Sequence, residues 1–201
     1  MARTDKTQNR ILNLLCRDLF SKYNITSLAK KLSSSRMGIW KALKRLESSN
    51  LINLIPVGEG KTSAYKIKLN WENPLVEKNI ITILLEEAIK NARWRHEFAE
   101  LENKTEFIIL YGSVLQSAKE AKDIDIISII HEKGNFMKLN NAINKAQSTE
   151  TKKIHAINFS KEGFKKELIS EKNPAFLDAI EKGVILFGQE NFIKLVKGIV
   201  Y

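Results

Sequence analysis

Cysteine is almost absent from this chain of 201 residues: Cys16 stands alone, so no internal disulfide can form. With three prolines and nine glycines, the chain has no low-complexity segment and no internal repeat. No apolar run reaches the roughly 18 residues that a membrane-spanning helix needs. No signal-like apolar segment follows the first ten residues, MARTDKTQNR. We therefore expect a globular protein of the cytoplasm with no membrane partner, in which Cys16 is a buried helix residue.

Acidic residues are scarce in the first third of the chain. Residues 1–70 hold 14 Lys/Arg against 4 Asp/Glu, a net charge of +10, whereas residues 71–201 hold 19 of each. The whole excess of positive charge therefore belongs to the first segment. Such asymmetry indicates a nucleic-acid-binding module joined to a second part of different character.

Three short helices and a β-hairpin are predicted within this basic segment. Apolar residues recur at helical spacing over residues 7–22, and ITSLAKKL forms a second helix capped by Thr26 or Ser27. A run of three serines then precedes a third helix over roughly residues 35–48. The buried stripe of that helix is predicted to be Ile39, Leu43 and Leu46. LINLIPV, GEGKTS and AYKIKLN follow as a hairpin with Lys61 at its tip.

The segment SLAKKLSSSRMGIWKALKRLESSNLI resembles the winged helix-turn-helix family, and the resemblance covers about residues 7–70. It implies binding to double-stranded DNA, with the third helix in the major groove and the hairpin along the backbone or minor groove. The phosphate contacts implied are those of Lys41, Lys44, Arg45 and Lys61. The residues implied near base edges are Ser34, Ser35 and Arg36. The role of Trp40 stays open between a thymine methyl contact, the edge of the core and a dimer contact.

A long helix is predicted after the hairpin. Asn73 and Pro74 supply an N-cap and a proline at the first helical position, and the apolar pattern continues to about Glu102. The apolar face is broad, so this helix connects two domains, pairs two subunits, or does both. Winged helices commonly read paired half-sites, and this helix has more apolar surface than a connector needs, so we expect a homodimer. The predicted domains are residues 1–70, a connecting helix over 71–103, and residues 104–201.

Two carboxylates alternate with isoleucines in the predicted strand DIDIISII. Residues two apart in a strand share a face, so Asp123 and Asp125 point one way and the isoleucines between them point into the core. Like charges this close repel each other unless a cation, usually Mg²⁺, lies between them. The preceding strand, FIILY, ends at Gly112 and Ser113, whose backbone NH groups and hydroxyl suit phosphate oxygens. Together these residues predict a site for Mg²⁺ and a triphosphate.

The sequence YGS, followed after nine residues by DID, resembles the polymerase-β-like nucleotidyltransferase superfamily, particularly its minimal members. The resemblance covers about residues 104–190. It implies that Gly112 and Ser113 hold a nucleoside triphosphate, and that Asp123 and Asp125 ligate Mg²⁺ and serve catalysis. The expected fold is α+β in two domains, a winged helix-turn-helix followed by a nucleotidyltransferase-like mixed sheet with helices.

One departure from that superfamily concerns the third carboxylate, which active members bring from a later strand. The matching strand here, KKIHAINF, contains neither Asp nor Glu, and Glu150 and Glu162 lie outside it. His155 or Asn158 takes the place. A structural histidine is favoured over a substitute base at His155. His96 and the other histidines show no zinc-ligand spacing with one another or with the cysteine.

The missing acid favours a DNA-binding transcriptional regulator whose second domain binds Mg²⁺-nucleotide or a protein partner without appreciable catalysis. The alternative is an active nucleotidyltransferase that modifies a protein, an RNA or a small molecule and is targeted by the winged helix. One version of that enzyme is an antitoxin that modifies a toxin-like helical partner. A pure protein-interaction module is the third interpretation.

Overall fold

The structure, a computed structural model, describes residues 5–57, 64–131 and 136–200. Over these residues the chain is α+β, with two small sheets, as the sequence predicts at this level. It divides into two compact units, and the boundary between them falls between Ile83 and Leu84. This boundary lies inside the 71–103 segment that the sequence assigns to a connecting helix.

The first unit begins with helices and continues with a two-stranded antiparallel sheet. Its elements are α1 (Lys6–Arg17), α2 (Ile25–Lys31), α3 (Arg36–Ser48), β1 (Ile52–Val57) and β2 (Ala64–Leu69). The strand pairing runs from Ile52 opposite Leu69 to Val57 opposite Ala64. The predicted hairpin tip, with Lys61, lies outside the described residues.

Helix α1 ends at Arg17, five residues before the predicted end. The backbone NH of Asp18 donates to Leu14 O at 2.9 Å and closes the last turn. The Asp18 carboxylate then accepts hydrogen bonds from the Ser21 NH, at 3.3 Å, and from the Tyr23 hydroxyl. These bonds hold the residues after Arg17 in a loop instead of a further helical turn.

Helix α2 begins at Ile25, but its N-cap lies at least two residues earlier than predicted. Its N-cap is Asn24, not Thr26 or Ser27, because the Asn24 side chain accepts from the Ser27 NH at 2.9 Å. In return the Ser27 hydroxyl accepts from the Asn24 NH at 2.9 Å. This reciprocal pair satisfies two NH groups that the helix itself leaves unbonded.

Helix α3 agrees with its prediction in both extent and buried face. Ser35 is the N-cap and accepts from the Gly38 NH at 3.0 Å. The predicted stripe is confirmed, because three side chains have no exposed surface, Ile39, Leu43 and Leu46. The opposite half of α3 is therefore the half left to solvent.

The predicted long helix is broken into three. Its pieces are α4 (Pro74–Lys90), α5 (Ala92–Glu97) and α6 (Ala99–Glu102). Asn91 leaves the helical region with φ −104° and ψ 37°, and its side-chain amide donates to Glu87 O at 2.9 Å. The break lets Trp94, Phe98 and Leu101 enter the core of the second unit. The expectation of one continuous helix was therefore wrong after Lys90.

A four-stranded mixed sheet forms the centre of the second unit, in the order β5 (Lys153–Phe159), β4 (Asp123–Ile130), β3 (Thr105–Tyr111) and β6 (Val184–Phe187). Strands β4 and β5 are parallel, while β3 runs antiparallel to both β4 and β6. The elements after α6 are β3 (Thr105–Tyr111), β4 (Asp123–Ile130), α7 (Phe136–Thr149), β5 (Lys153–Phe159), α8 (Lys161–Ser170), α9 (Pro174–Lys182), β6 (Val184–Phe187) and α10 (Gln189–Val200). A short 3₁₀ turn, Ser113–Leu115, joins β3 to the approach to β4.

Helices cover both faces of this sheet. On one face, α7 contributes Leu139 and Ile143 to a core shared with Ile124 and Ile126. On the other, edge-to-face aromatic contacts join the sheet to α8, α9 and α10, with ring centroids 5.2–6.0 Å apart. The rings involved are Phe107, Phe159, Phe164, Phe176 and Phe192. Most of the sheet is therefore buried on both sides, which makes an exposed polar patch at its end conspicuous.

Candidate functional site

The two aspartates lie at the start of β4, on the face that the alternation predicts. Ile124 and Ile126 have no exposed surface and point into the core. The side chains of Asp123 and Asp125, on the opposite face, are 36% and 23% exposed. Both carboxylates are therefore held by a strand whose other face is anchored in the apolar core, and both still reach solvent.

The Gly112 turn packs directly against Asp125. Gly112 has φ +82° and ψ −161°, a backbone conformation essentially restricted to glycine. A Cβ built on Gly112 would lie 2.5 Å from Asp125 Oδ2, so a side chain at this position would displace the carboxylate. The neighbouring Tyr111 pairs with Asp125 across the two strands. The exposed Ser113 then opens the 3₁₀ turn, and its carbonyl accepts from the NH groups of the third and fourth residues after it.

A third side chain, His155, joins the aspartates from the neighbouring strand. The parallel register of β4 and β5 places His155 opposite Asp125. Its Nδ1 lies 3.4 Å from Asp125 Oδ1 and 3.6 Å from Asp123 Oδ2. Its side chain is 45% exposed, so it does not fill the core, and the structural role favoured from sequence stays a prediction. Asn158 does not share this place, because its side chain bonds to Ser128 at 2.5 Å.

The electrostatics of the cluster are those of concentrated negative charge. Burial raises the pKa of the Asp125 carboxyl above its ordinary value, the nearby Asp123 carboxylate raises it further, and His155 opposes both effects. Burial also raises the pKa of the Tyr111 phenol, and the charges of Asp125 and Asp123 add to that shift. A cation bound among these groups would relieve the repulsion between the Asp123 and Asp125 carboxylates.

Asp123, Asp125 and His155 can hold a metal ion. One candidate ligand atom from each lies within 4.8 Å of the others. Carboxylate oxygens suit Mg²⁺ or Mn²⁺, and an imidazole nitrogen suits transition metals, so the donor set fits a divalent cation. Among the described residues, none brings a third carboxylate to the place where the resemblance expects one: β5 has none, and the Glu150 carboxylate pairs with Arg93 at 2.9 Å.

Lys152 is a supporting residue that sequence reasoning missed. Its Nζ donates to Lys119 O at 3.1 Å and to Ala121 O. These bonds tie the loop that enters β4 to the residue just before β5. They position the strand starts that carry the aspartates and the histidine, and no sequence pattern marks a lysine for such a role.

Helix α3 carries four of the residues predicted to contact DNA. Four basic side chains on it are exposed, Arg36, Lys41, Lys44 and Arg45. Two of these also have acidic partners, since Lys44 pairs with Glu47 at 2.8 Å and Arg45 with Asp5 at 3.2 Å. The predicted base-edge serines have local roles, because the Ser34 hydroxyl donates to Leu32 O at 3.1 Å and the Ser35 hydroxyl caps α3.

Trp40 of the same helix lies against the hairpin. Its ring centroid is 5.7 Å from that of Tyr65 on β2. The Nζ of Lys44 lies 4.8 Å from the Trp40 ring, within the range of a cation–π contact. Trp40 thus links α3 to the hairpin while remaining partly exposed.

Over the described ranges, no helix has both the length and the apolar character needed to cross a bilayer. The longest of those helices, α4, has 17 residues and includes Glu77 and Lys90. Comparisons of this chain with protein-family models, with curated proteins and with solved structures give no match.

Proposed function

We propose that the second unit is a nucleotidyltransferase-like domain that binds a nucleoside triphosphate together with a divalent metal ion. The observation that carries this proposal is the packing of the Gly112 turn against the Asp125 carboxylate. A turn suited to phosphate and a carboxylate suited to a metal are neighbours here, although they belong to different strands. A metal-bound triphosphate needs both features side by side.

In this proposal the aspartates and the turn before them have different roles. Asp123 and Asp125 hold the cation, which neutralises the charge of the triphosphate when bound. The backbone NH groups of the turn at Gly112, with the Ser113 hydroxyl, hold phosphate oxygens. The mixed sheet, with β4 central and β5 parallel to it, supports the resemblance stated from the sequence.

Binding without appreciable turnover is the form of this proposal that the residues of β5 favour. In-line transfer requires that the attacking hydroxyl lose a proton, and a carboxylate is the usual acceptor in the resembling superfamily. Strand β5 is described throughout and has no acidic residue. The domain is then a nucleotide sensor or a surface for a protein partner.

A second candidate function is an active nucleotidyltransferase that modifies a protein, such as a toxin-like partner, an RNA or a small molecule. The observation that favours it is the position of His155, with Nδ1 3.4 Å from Asp125 Oδ1. An imidazole at that place can accept a proton from an acceptor hydroxyl. His155 would then replace the absent acid.

For the first unit, we propose binding to double-stranded DNA as a winged helix-turn-helix, so that the whole chain is a transcriptional regulator. The exposed basic residues of α3, opposite its buried stripe, support this proposal. The hairpin beside α3, in contact with it through Trp40 and Tyr65, is the proposed wing. A homodimer remains our expectation, because proteins of this type commonly read paired half-sites.

Thermal unfolding with Mg²⁺ and a nonhydrolysable ATP analogue tests the nucleotide site. At a hundredfold excess over Kd the ligand should stabilise the protein by about 2.7 kcal/mol, which is about 5–11 °C for a chain of this size. Asp123→Asn with Asp125→Asn should abolish that shift. The matched control, Glu102→Gln with Glu120→Gln, removes two exposed carboxylates of the same unit and should leave it unchanged.

Incubation with labelled nucleoside triphosphates separates the two candidate functions. We expect no appreciable label on the protein, on RNA or on a co-purified partner. Strong labelling that disappears in the Asp123/Asp125 double variant would establish the transferase. If the wild-type protein shows neither labelling nor stabilisation by Mg²⁺ and nucleotide, nucleotide binding would be rejected altogether.

A further inference from the structure

We propose that His155 is a direct metal ligand, and that the cluster of Asp123, Asp125 and His155 consequently selects Mn²⁺, Co²⁺ or Zn²⁺ over Mg²⁺. This inference rests on the proposed metal–nucleotide site and adds the identity of the ion. It departs from the Mg²⁺ that the two aspartates predict from sequence alone.

The spacing of the ligand atoms is the first argument. Two atoms bound at about 2.0–2.2 Å lie about 3.3–3.6 Å apart at a tetrahedral angle, whereas the right angle of an Mg²⁺ octahedron holds them about 2.8–3.0 Å apart. Here Nδ1 of His155 lies 3.4 Å from one carboxylate oxygen and 3.6 Å from the other. Both distances fall in the tetrahedral range. For these two ligand pairs the spacing favours a tetrahedral ion such as Zn²⁺ over Mg²⁺. The two carboxylate oxygens lie within 4.8 Å of each other, and the preference for Mn²⁺ and Co²⁺ rests on donor chemistry alone.

The position of His155 is fixed by its strand, which is the second argument. Lys152 ties the start of β5 to the loop before β4. The NH of Ile154 donates to Gln147 Oε1 at 2.7 Å, and the Ile154 side chain is buried. The histidine between these anchors and Asp125 is held against the carboxylates while its side chain remains 45% exposed. Metal ligands held in this way need little rearrangement to bind.

Donor chemistry is the third argument. Mg²⁺ prefers oxygen ligands and a near-ideal octahedron, and imidazole nitrogen contributes more to the binding of Mn²⁺, Co²⁺ and Zn²⁺. An oxygen-only set would need the third carboxylate, which β5 lacks. With one nitrogen among three protein ligands, the affinity order follows the transition-metal series and places Mg²⁺ last.

A rival arrangement makes the opposite prediction. A positively charged His155 would pair with the two carboxylates and occupy the place of the cation. Replacing His155 with alanine would then leave the carboxylates unpaired and strengthen the binding of any divalent ion. If His155 is a ligand, the same replacement weakens the binding of transition metals.

The test is calorimetric titration of the full chain with each metal alone at one fixed pH. In the wild-type protein we expect Mn²⁺ to bind at least about tenfold more tightly than Mg²⁺. His155→Ala should weaken Mn²⁺ binding by at least about tenfold. The same variant should change the affinity for Mg²⁺ by less than about threefold. His155→Asp supplies a third carboxylate in place of the nitrogen ligand and should narrow the preference for Mn²⁺ over Mg²⁺. His96→Ala, which removes another exposed imidazole of the same unit, is the control.

A spectroscopic readout distinguishes ligation from indirect effects. Electron spin echo modulation of the Mn²⁺ complex should show coupling to a directly bound imidazole nitrogen in the wild type and none in His155→Ala. The melting temperature of each metal-free variant shows whether it is folded.

Two outcomes would overturn this inference, and they differ in what else they reject. Mn²⁺ affinity that is unchanged or increased in His155→Ala, but lost in Asp123→Asn with Asp125→Asn, would leave the proposed site standing without its nitrogen ligand. A wild-type protein that binds none of the metals, with or without nucleotide, would reject the proposed function as well.

Discussion

Replacing Gly112 with alanine tests how closely the turn and the candidate site are built together. The φ and ψ values of Gly112 lie in a region essentially restricted to glycine, so alanine there costs about 1–3 kcal/mol of backbone strain. The added Cβ would also lie 2.5 Å from Asp125 Oδ2, which forces the turn or the carboxylate to move. Combining about 1–3 kcal/mol of strain with about 1–3 kcal/mol of overpacking, we expect Gly112→Ala to lower the free energy of unfolding by about 2–6 kcal/mol.

A double-mutant cycle with Asp125→Ala separates the two parts of this loss. Asp125→Ala removes the clashing oxygen and leaves its own Cβ, which lies 3.6 Å from the new methyl group, an ordinary contact. In that background Gly112→Ala should cost only the backbone strain, so the coupling free energy between the sites should be about 1–3 kcal/mol by urea unfolding. Gly198→Ala, in α10 with nothing within 4 Å of the added Cβ, should stabilise the protein by up to about 1 kcal/mol.

Two results would refute this reasoning in different ways. The same large loss in both backgrounds would mean that the Asp125 carboxylate does not lie beneath the turn. A neutral Gly112→Ala would reject the glycine-only backbone conformation itself. In the expected case, the single variant should also lose the nucleotide-dependent rise in melting temperature, because the carboxylate is displaced.

Three further predictions concern other parts of the chain. The logarithm of the binding constant for duplex DNA should fall with the logarithm of the salt concentration, with a slope of about −4 to −5. Lys44→Ala with Arg45→Ala should make that slope shallower by about two if both residues contact phosphates. An unchanged slope would show that these residues do not contact the DNA. Light scattering should show a dimer that dissociates on changing the exposed Leu85 and Ile89 of α4 to Asp, and a monomeric wild type would contradict it. Burial raises the pKa of the Cys16 thiol to about 12, so a thiol reagent at pH 8 should react only on unfolding. Since the folded pKa is the higher one, the stability linked to this thiol is complete below about pH 8.5 and declines as the pH rises toward the folded value; rapid modification of the native protein would contradict this.

The elements that sequence patterns predict well are those in which local and long-range preferences agree. In α3 the buried stripe repeats at helical spacing, and the serine before it is a good cap, so both boundaries and face could be predicted. In β4 the alternation of Asp and Ile fixes the face of each side chain without knowledge of its neighbours. The aspartate pair of the candidate site was predictable for this reason.

The break at Asn91 was not predictable, because the apolar spacing continues through it. Trp94 and Phe98 extend the pattern of α4, yet they lie after the break and pack in the core of the second unit. An asparagine inside a helical pattern is an ordinary residue until its side chain is seen to bond to Glu87 O. Periodicity reports which residues are buried and cannot report where each is buried.

The place of His155 beside the aspartates was not predictable for a related reason. Its closeness to Asp125 depends on the register between β4 and β5, which are separated in sequence by a whole helix. A lone histidine in an apolar strand has no sequence feature that distinguishes a core residue from a ligand. Only the paired strands bring the imidazole to the carboxylates.

The residues of the candidate site lie on two strands of unequal stability, because β5 is at the edge of the sheet and β4 is inside it. β4 is bonded on both sides, by β3 and by β5, whereas β5 is bonded only on one side. Amide hydrogens of the rim strand should therefore exchange with solvent faster than those of β4. An ion bound by side chains of both strands would hold β5 to β4. It would slow amide hydrogen exchange along β5 and leave exchange along β4 nearly unchanged. The cluster would in this way convert occupancy by a single ion into rigidity of one edge of the domain.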